Sequence, residues 1–376
     1  MYTDYNSNLV ARALTIVWLI RKLLSGELNS LKMVPEMKIV TTVDVNDLLG
    51  MYIASAALGA ALELGLFWRL AEEPMAAEDV TKAFGIPFNR CQFWLELLTG
   101  LGLLERRGET YGTSSTARTA ILKAYSQETW RFLAQEAREG YLAGNNLSLH
   151  ISHSDSVWAA QGLEPHDYIA QMMKSPERAR RFTRVVCEVH RPFAEKLAQI
   201  LDMTGVRRLM DLGGGSGVVS LALLKRHSNL TAVVVDIANV CDAGREIAAQ
   251  TMMTERINYH AANFLQDELP TGFDMVLECD VGVYTEELFR KVRSCLNPGG
   301  RIVIVDWLVQ PGREPSLERR MDAFLSSLRT PGFAITTAAE VQDLLVRVGF
   351  HHISQKTIEH STRVHEESTV VILAYK

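Results

Sequence analysis

The distribution of hydrophobic residues changes character at about residue 205. Before it, apolar positions recur three or four residues apart, which predicts helices; after it, short runs rich in β-branched residues alternate with helical stretches. The runs read RRLMDL, TAVVVDI, INYHAA, FDMVLEC and RIVIVDWLV. Such alternation predicts an α/β fold with a parallel sheet and helices on both of its faces. Two later runs, HHISQKTIEH and ESTVVILAYK, are joined by a short polar link and predict an antiparallel hairpin at the sheet edge.

The same pattern divides the chain into segments. Residues 1–45 form an extension with one predicted helix. Residues 46–115 contain a helix–turn–helix followed by a strand–turn–strand, which predicts a winged helix. Residues 116–200 are helical throughout, and Ser175 followed by proline is a typical start for the last long helix. Residues 201–376 form the α/β domain.

A winged helix is also a common DNA-binding fold. The helix that would enter the DNA groove, residues 89–99, carries Arg90 as its single cation. Groove-reading helices present Arg, Lys, Asn or Gln to phosphates and base edges, whereas this one is apolar nearly all round, which favours burial. The net charge of −5 also provides no attraction to nucleic acid. We therefore expect residues 46–115 to form a homodimer and not to bind nucleic acid.

Composition places the chain among globular proteins, with 47% hydrophobic and 22% charged residues. The five cysteines are scattered without CxxC spacing, which favours a reducing compartment, and we expect a cytoplasmic location. The apolar run at residues 9–20 is shorter than the roughly 20 residues that span a bilayer, and Asp4 precedes it. It predicts an amphipathic helix that packs on a partner chain or on the next domain, with a peripheral membrane contact as the alternative.

A glycine-rich turn follows the first predicted strand of the α/β domain. That strand ends at Asp211, and Gly213, Gly215 and Gly217 come directly after it, before a helix. Ligands of open α/β sheets bind beyond the carboxyl ends of the strands, and glycines let the backbone approach them closely. The second strand ends at Asp236, whose carboxylate can accept hydrogen bonds from both ribose hydroxyls of a nucleoside. The turn therefore predicts a nucleoside-containing cofactor.

Three details favour S-adenosyl-L-methionine over a nicotinamide dinucleotide. The spacing is Asp-x-Gly-x-Gly-x-Gly, and Val218 stands where the dinucleotide motif has its third glycine or an alanine. The chain contains one such nucleotide-binding half, and the C-terminal hairpin is typical of the methyltransferase sheet. A dinucleotide and a glycine turn without a ligand are the alternatives.

With these motifs the chain resembles the small-molecule O-methyltransferase family that includes plant caffeate O-methyltransferase and bacterial enzymes of polyketide, phenazine and bacteriochlorophyll pathways. The similarity runs from about Asp47 to the C-terminus and is strongest in ALGAALELGLFWRLAEEPMAAEDV, EVHRPFAEKLAQILDMTGVRRLMDLGGGSG and LNPGGRIVIVDWLV. The resemblance implies a Rossmann-like class I methyltransferase sheet, a homodimer formed through the winged helix, and an acceptor pocket between the helical segment and the sheet. The implied reaction is O-methylation of a hydrophobic aromatic or conjugated metabolite.

The resemblance also assigns cofactor contacts by position. They fall on the Asp211–Gly217 loop, Asp236, Ile237, Asn263, Phe264, Glu278 and Cys279. Asn263 departs from the family's usual aspartate, although an amide can still meet the adenine amino group through its carbonyl oxygen. Glu278 and Cys279 are expected near the methionine part of the cofactor.

The family's usual catalytic base is missing. Many members carry His-Asp-Trp after the fourth strand, and the histidine removes the phenolic proton. Here that position falls on Val283 or, counted back from Pro298, on Glu278. Of the two acidic residues that flank the histidine, one maps to Asp306, and the other falls near Ile335, where no carboxylate stands.

Three explanations stay open for this loss. Another residue serves as the base, with Asp280, Tyr284 and His190 as candidates; or the acceptor is nucleophilic enough for proximity to suffice; or the reaction is not a methylation. Methylation at carbon or nitrogen is an alternative for the same scaffold, and a cofactor-sensing winged-helix regulator is an alternative of another class.

Aromatic and methionine side chains in the helical segment predict a flat, apolar acceptor site, although some of them will serve only the core. The candidates are Trp130, Trp158, Tyr168, Met172, Phe182 and Val186. The nearby His150, His153 and Asp155 lack a third histidine and the spacing of a zinc site, so we expect no metal.

Overall fold

The computed structural model describes residues 41–162, 168–310, 312, 314–362 and 365–376. Most of the predicted extension, including the apolar run at residues 9–20, lies outside the described residues. The chain divides into two compact units between Ser152 and His153. This division falls inside the helical segment 116–200, which the sequence pattern presents as one piece.

The N-terminal unit combines helices with a small antiparallel sheet of order β1-β3-β2. Its helices are α1 (Thr42–Leu64), α2 (Leu66–Glu72), α3 (Ala77–Phe84), α4 (Phe88–Gly100), α5 (Ser115–Ala117), α6 (Gln127–Asn145) and α7 (Leu147–His150), with a π-turn at Arg118–Leu122 between α5 and α6. Its strands are β1 (Met75–Ala76), β2 (Leu104–Arg107) and β3 (Thr110–Thr113). The turn between α3 and α4, followed by the β2–β3 hairpin, is the arrangement expected of a winged helix.

Helix α1 illustrates how this unit is built. Thr41 and Asp44 form a reciprocal capping box at its start, and Gly65 closes it in the left-handed conformation, with φ of 79°. Trp94 of α4 donates its indole N–H to the Ala57 carbonyl at 2.9 Å, which ties α4 to α1. The outer face of α1 stays apolar and exposed, with Leu49 71% exposed. By length and composition alone, α1 is the one helix in the described chain that could cross a membrane.

Helix α4, which we expected to be buried, is buried on one side. Cys91, Leu95 and Leu98 are fully buried, whereas Phe93 is 70% exposed. The expected burial is therefore found on the inner face of α4, whereas its outer face is exposed in the single chain. An exposed aromatic side chain on this helix suits a protein interface better than a DNA groove.

The C-terminal unit contains the predicted α/β domain preceded by helices. The helices are α8 (Val157–Ala160), α9 (Tyr168–Lys174), α10 (Pro176–Ile200), α11 (Val218–Arg226), α12 (Ala238–Ala248), α13 (Glu286–Cys295), α14 (Leu317–Arg329) and α15 (Ala338–Val348). The strands are β4 (Arg208–Leu212), β5 (Thr231–Asp236), β6 (Ile257–Ala261), β7 (Phe273–Cys279), β8 (Leu296–Asp306), β9 (His351–Thr362) and β10 (His365–Tyr375). The strand runs and helices of the sequence analysis are thus present.

These strands form one seven-stranded sheet of order β6-β5-β4-β7-β8-β10-β9. The first five are parallel, and β10 runs antiparallel to β8, with Val370 opposite Asp306. The predicted parallel sheet with an antiparallel C-terminal hairpin is confirmed. Strand order reverses between β4 and β7, and a crevice for ligands is expected beyond the carboxyl ends of the strands at such a point.

Burial on both faces holds the sheet in place. One face packs on α10, α11 and α12 through a core that includes Leu209, Leu277 and Val303, each fully buried. Leu277 is the residue of β7 named in this core, and because side chains alternate along a strand, its neighbours in sequence point to the opposite face. Glu278 therefore lies on the face opposite to Leu277.

Candidate active site

The glycine turn after β4 is held in a conformation that favours glycine. Gly213, Gly215 and Gly217 have φ values of 67°, 56° and 73°. A Cβ atom on Gly217 would lie 2.8 Å from the Tyr259 hydroxyl, and that hydroxyl donates to the Ser216 carbonyl at 2.8 Å. The turn is therefore packed against β6 with no room for a side chain at Gly217.

Two buried carboxyl groups, at the ends of β4 and β5, lie beside the glycine turn. Asp211 accepts a hydrogen bond from the Ser220 hydroxyl at 2.7 Å. Asp236 accepts the backbone N–H of Gly215 at 2.9 Å and that of Ile237 at 2.7 Å. Burial raises the pKa of each carboxyl to about 6, against the opposing effect of these hydrogen bonds. Asp236 thus links the glycine turn to the end of β5.

A cavity opens between this turn, helix α10 and the end of β7. It is lined by predicted residues from all three elements and from α9 and β5: Asp211, Gly213, Gly215, Asp236, Cys279, Asp280, Tyr168, Phe182, Val186 and His190. Four neighbours that we had not predicted also line it: Thr183, Phe193, Val218 and Val219. The spacing of Thr183 from Val186 and His190, three and seven residues, is the helical signal that could have revealed it.

The lining of this cavity fits a polar ligand with a nucleoside part. The Thr183 side chain is 2% exposed, and its hydroxyl has no hydrogen-bond partner within the described chain. Buried polar atoms in proteins are nearly always hydrogen-bonded, so an orphaned hydroxyl at a cavity wall indicates a ligand. The glycine turn supplies backbone that a ligand can approach closely.

Asn263 and Phe264, assigned by resemblance to the adenine, lie after β6 and outside the lining of this cavity. The Asn263 side-chain oxygen accepts the Leu265 N–H at 3.1 Å, and its backbone N–H donates to Asp267 at 2.8 Å. The carbonyl oxygen has two lone pairs, so one is left for an adenine amino group. Their role stays a prediction.

A tyrosine and an aspartate meet at the carboxyl end of β8. Tyr284 donates its hydroxyl hydrogen to one Asp306 oxygen at 2.5 Å, and the other oxygen accepts the Trp307 N–H at 2.6 Å. Burial, followed by the nearby carboxyl groups of Asp306 and Glu278, raises the pKa of Tyr284 well above its ordinary value. The tyrosine is therefore a neutral hydrogen-bond donor to Asp306 at physiological pH.

Glu278, like Tyr284 and Asp306, is not among the residues that line the cavity, unlike its neighbours Cys279 and Asp280. Its side chain is 1% exposed, and neither carboxyl oxygen has a hydrogen-bond partner within the described chain. Burial, followed by the nearby Asp306 carboxyl, raises the pKa of Glu278 well above its ordinary value. Alternation along β7 directs Glu278 to the face opposite to Leu277, and its contact with the cofactor stays a prediction.

Asp280 adopts a backbone conformation that is uncommon for a residue with a side chain. Its φ is 55°, and its N–H donates to the Val305 carbonyl at 2.9 Å. Left-handed backbone at non-glycine residues is concentrated at functional sites. The conformation brings the end of β7 to the wall of the cavity.

The six candidates for the acceptor site do not form one cluster. Tyr168 and Phe182 pack edge to face with ring centroids 5.4 Å apart at the cofactor cavity, whereas Met172 is 1% exposed and outside the lining of that cavity. Trp130 belongs to the N-terminal unit, where its indole N–H donates to the Ile121 carbonyl at 2.9 Å. Trp158 packs against Arg329 of α14. The acceptor role of all six stays a prediction.

The histidine-rich stretch before α8 shows no metal cluster. The His153 ring nitrogen accepts the backbone N–H of Asp155 at 3.2 Å. Among the described residues, no three His, Cys, Asp or Glu side chains are grouped as metal ligands would be.

The strand order, the glycine turn and the cavity together define a class I methyltransferase, an enzyme that uses S-adenosyl-L-methionine. Two family models then make the assignment specific. Residues 153–351 match the O-methyltransferase domain, and residues 46–122 match the O-methyltransferase dimerisation domain. The chain belongs to this O-methyltransferase family, as the resemblance implied.

Individual relatives agree with this assignment. The chain is 30% identical over 298 residues to 3-hydroxy-5-methyl-1-naphthoate 3-O-methyltransferase of Streptomyces sahachiroi, covering 78% of this chain and 84% of the relative. It is 25% identical over 315 residues to the N,N-dimethyltransferase OxyT of Streptomyces rimosus, covering 78% and 91%. The crystal structure of human N-acetylserotonin methyltransferase in complex with S-adenosyl-L-methionine shares the fold, with a TM-score of 0.72 at 20% identity over 92% of this chain and 99% of that one.

These findings confirm the predicted cofactor and enzyme class, and the dimerisation-domain match supports a homodimer. One relative is named for transfer to nitrogen, but both family models and the relative of higher identity are O-methyltransferases. The other activities considered from the sequence are therefore not favoured.

Proposed function

We propose that this enzyme methylates a hydroxyl oxygen of a hydrophobic aromatic or conjugated small molecule of secondary metabolism or pigment biosynthesis. The observation that carries the proposal is the cavity in which the glycine turn, the orphaned Thr183 hydroxyl and Asp280 converge. The relative named for a hydroxynaphthoate supports a flat aromatic acceptor. The aromatic side chains of Tyr168 and Phe182 at the cavity wall support the same kind of acceptor.

When bound, the cofactor supplies a methyl group on a positively charged sulfur. We assign its binding to the backbone of the Asp211–Gly217 turn, to Asp236 for the ribose hydroxyls, and to Ile237, Asn263 and Phe264 around the adenine. The Asp280 carboxylate suits the ammonium group of the methionine part, and the His190 imidazole suits its carboxylate. Cys279 borders the same cavity.

Of the three candidates for the catalytic base, we favour Tyr284, because its hydroxyl is hydrogen-bonded to a carboxyl group, that of Asp306, which can take up a proton in turn. The Tyr284 hydroxyl oxygen keeps lone pairs that can accept a hydrogen bond from the hydroxyl of the substrate. The same oxygen lies 2.5 Å from the Asp306 oxygen to which it donates its own proton. In the proposed relay, the acceptor proton passes to the Tyr284 oxygen as the tyrosine proton passes to Asp306. The carboxylate thereby takes up the proton without a phenolate forming on the buried tyrosine, whose high pKa disfavours it.

We also propose that the homodimer forms through residues 46–115 and that the enzyme acts in the cytoplasm. The dimerisation-domain match and the exposed Phe93 and Leu49 support the first proposal. The scattered free cysteines support the second.

Incubation of the purified enzyme with S-adenosyl-L-methionine and a panel of hydroxylated polycyclic aromatics tests the reaction. We expect a mass gain of one methyl group on at least one member, with the new methyl signal on oxygen by NMR. Methyl signals found on nitrogen or carbon alone would overturn O-methylation and leave the cofactor assignment intact. Failure of the enzyme to bind S-adenosyl-L-homocysteine in calorimetry would contradict the cofactor site itself.

A further inference from the structure

Helix α14 buries polar side chains and exposes large apolar ones, the reverse of an ordinary amphipathic helix. Among its described side chains, the two that are buried are Ser326, 1% exposed, and Arg329, 7% exposed. The large apolar side chains Leu317, Met321 and Phe324 are 37%, 45% and 47% exposed. Burial of a polar group costs free energy unless the group is hydrogen-bonded, and large exposed apolar side chains are found where another apolar surface covers them. The buried polar side is therefore the informative one.

Three groups meet on that buried side. The Arg329 guanidinium carbon lies 5.0 Å from the centroid of the Trp158 ring, a cation–π distance. Ser326 stands three residues before Arg329, which places both on the same helix face. The Ser326 hydroxyl is buried and has no hydrogen-bond partner within the described chain. Thr330, which follows the helix, is 6% exposed.

This patch belongs to the end of the sheet that carries the site. Near the start of α14, Arg319 donates to the Trp307 carbonyl, directly after Asp306. Beyond the helix, the chain returns to the same place, where Thr337 pairs with Val309 in a parallel bridge. Helix α14 is thus tied to the carboxyl end of β8 before and after the segment that contains Ser326 and Arg329.

We infer that Ser326, Arg329 and Trp158 form a subsite for a carboxylate carried by the aromatic acceptor. This inference rests on the proposed function, since it names the class of acceptor for that reaction. The guanidinium matches a carboxylate in two parallel hydrogen bonds, the serine hydroxyl supplies a further donor, and the indole offers its face to an adjacent ring. Arginine has five N–H donors, so a ligand carboxylate and a resident protein partner can be bound together.

Binding of 6-hydroxy-2-naphthoic acid, its methyl ester and 2-naphthol, measured by calorimetry with S-adenosyl-L-homocysteine present, tests the subsite. The ester keeps the shape of the acid and removes its charge. We expect the wild-type enzyme to prefer the acid over the ester by about 10- to 100-fold, and Arg329→Met to abolish that preference while it leaves the affinity for 2-naphthol within about twofold. Arg329→Lys should keep part of the preference, and Ser326→Ala should reduce it by a few-fold.

Arg320→Met, on the exposed side of the same helix, is the matched control and should retain the full preference. Equal affinity of the wild-type enzyme for acid and ester, or no binding of the acid, would refute the subsite. The same would follow if Arg329→Met kept the preference. Binding of S-adenosyl-L-homocysteine to each variant separates this failure from failure of the proposed function, because it does not depend on the acceptor. Should Arg329→Met not fold, the Lys and Ala variants decide the question through the same ratio of affinities.

Discussion

The carboxyl ends of β4 and β5 and those of β7 and β8 lie at the same edge of the sheet but follow the family to different degrees. At β4 and β5, the motif that the resemblance uses is complete, and Gly213, Gly215 and the carboxyls of Asp211 and Asp236 line the cavity. At β7 and β8, the histidine is absent, and a tyrosine instead donates to Asp306 at 2.5 Å. The cofactor is common to the family, which restricts the first region, whereas the acceptor differs among relatives and permits change in the second.

The largest effect is expected in the second region. Tyr284→Phe removes the hydroxyl proposed to relay the acceptor proton, so the single-turnover rate of methyl transfer should fall by about a hundred- to ten-thousandfold, as for loss of a general base. Binding of S-adenosyl-L-homocysteine should not change. Tyr375→Phe, at the far end of β10, is the control. A variant at position 284 with the wild-type rate would exclude Tyr284 as the base and leave Asp280, His190 or proximity alone.

The next effect concerns the first region. Gly217→Val forces a side chain against the Tyr259 hydroxyl and a β-branched residue into φ of 73°, so we expect the affinity for S-adenosyl-L-homocysteine to fall more than about 100-fold. Gly299 also has φ of 73° but no atom within 4 Å of its Cβ position, and Gly299→Val is therefore the matched control for backbone strain. Equal losses of cofactor affinity in the two variants would mean that strain, and not the packing of the turn, determines binding.

A smaller effect is expected at the ribose. Asp236→Asn removes the charge that strengthens its hydrogen bonds, and the cofactor should bind about 10- to 100-fold more weakly by calorimetry. Because burial raises the pKa of Asp236 to about 6, the wild-type affinity should fall as the pH drops through 6. Binding to Asp236→Asn should lack this dependence. An unchanged pH profile in the variant would assign the titration to another group, with Asp211 as the first to examine.

The smallest effect is expected on the free energy of unfolding and not on catalysis. The folded-state pKa of Glu278 is raised above its ordinary value of 4.5, so the folded chain holds a proton that the unfolded chain releases. The stability contributed by this group is therefore complete below pH 4.5 and is lost as the pH rises above it. Glu278→Gln should be more resistant to urea than the wild type at pH 8, and this advantage should shrink toward pH 5. The exposed Glu268→Gln should behave as the wild type at both pH values.

Much of the fold could be predicted because its signals are local. Runs of β-branched residues, the glycines after Asp211 and the polar link before β10 each report on a few neighbouring residues. The glycine turn is the clearest case, because positive φ at Gly213, Gly215 and Gly217 and close packing at Gly214 and Gly217 favour glycine there.

The rest of the site depends on contacts between distant residues. The hydrogen bond between Tyr284 and Asp306 joins residues 22 positions apart, and the contact of Trp158 with Arg329 joins two helices far apart in the chain. Alternation along β7 could have shown that Glu278 and Cys279 face opposite ways, although the resemblance assigns both to the cofactor. The exposed Phe93 was missed because an apolar helix in an interface has the same composition as one in a core.

The sheet order has a consequence for how the chain folds. Strand β10 lies between β8 and β9, so the last strand in sequence is an interior strand of the sheet, and its neighbour β8 pairs with it across more than 60 intervening residues. Contacts of such long sequence separation close late and slow the search for the native state. Until β10 inserts, β8 presents an open edge of Ile302, Val303, Ile304 and Val305, a stretch prone to pair with other chains. The refolding yield should therefore depend on protein concentration more through this edge than through the glycine turn that defines the enzyme.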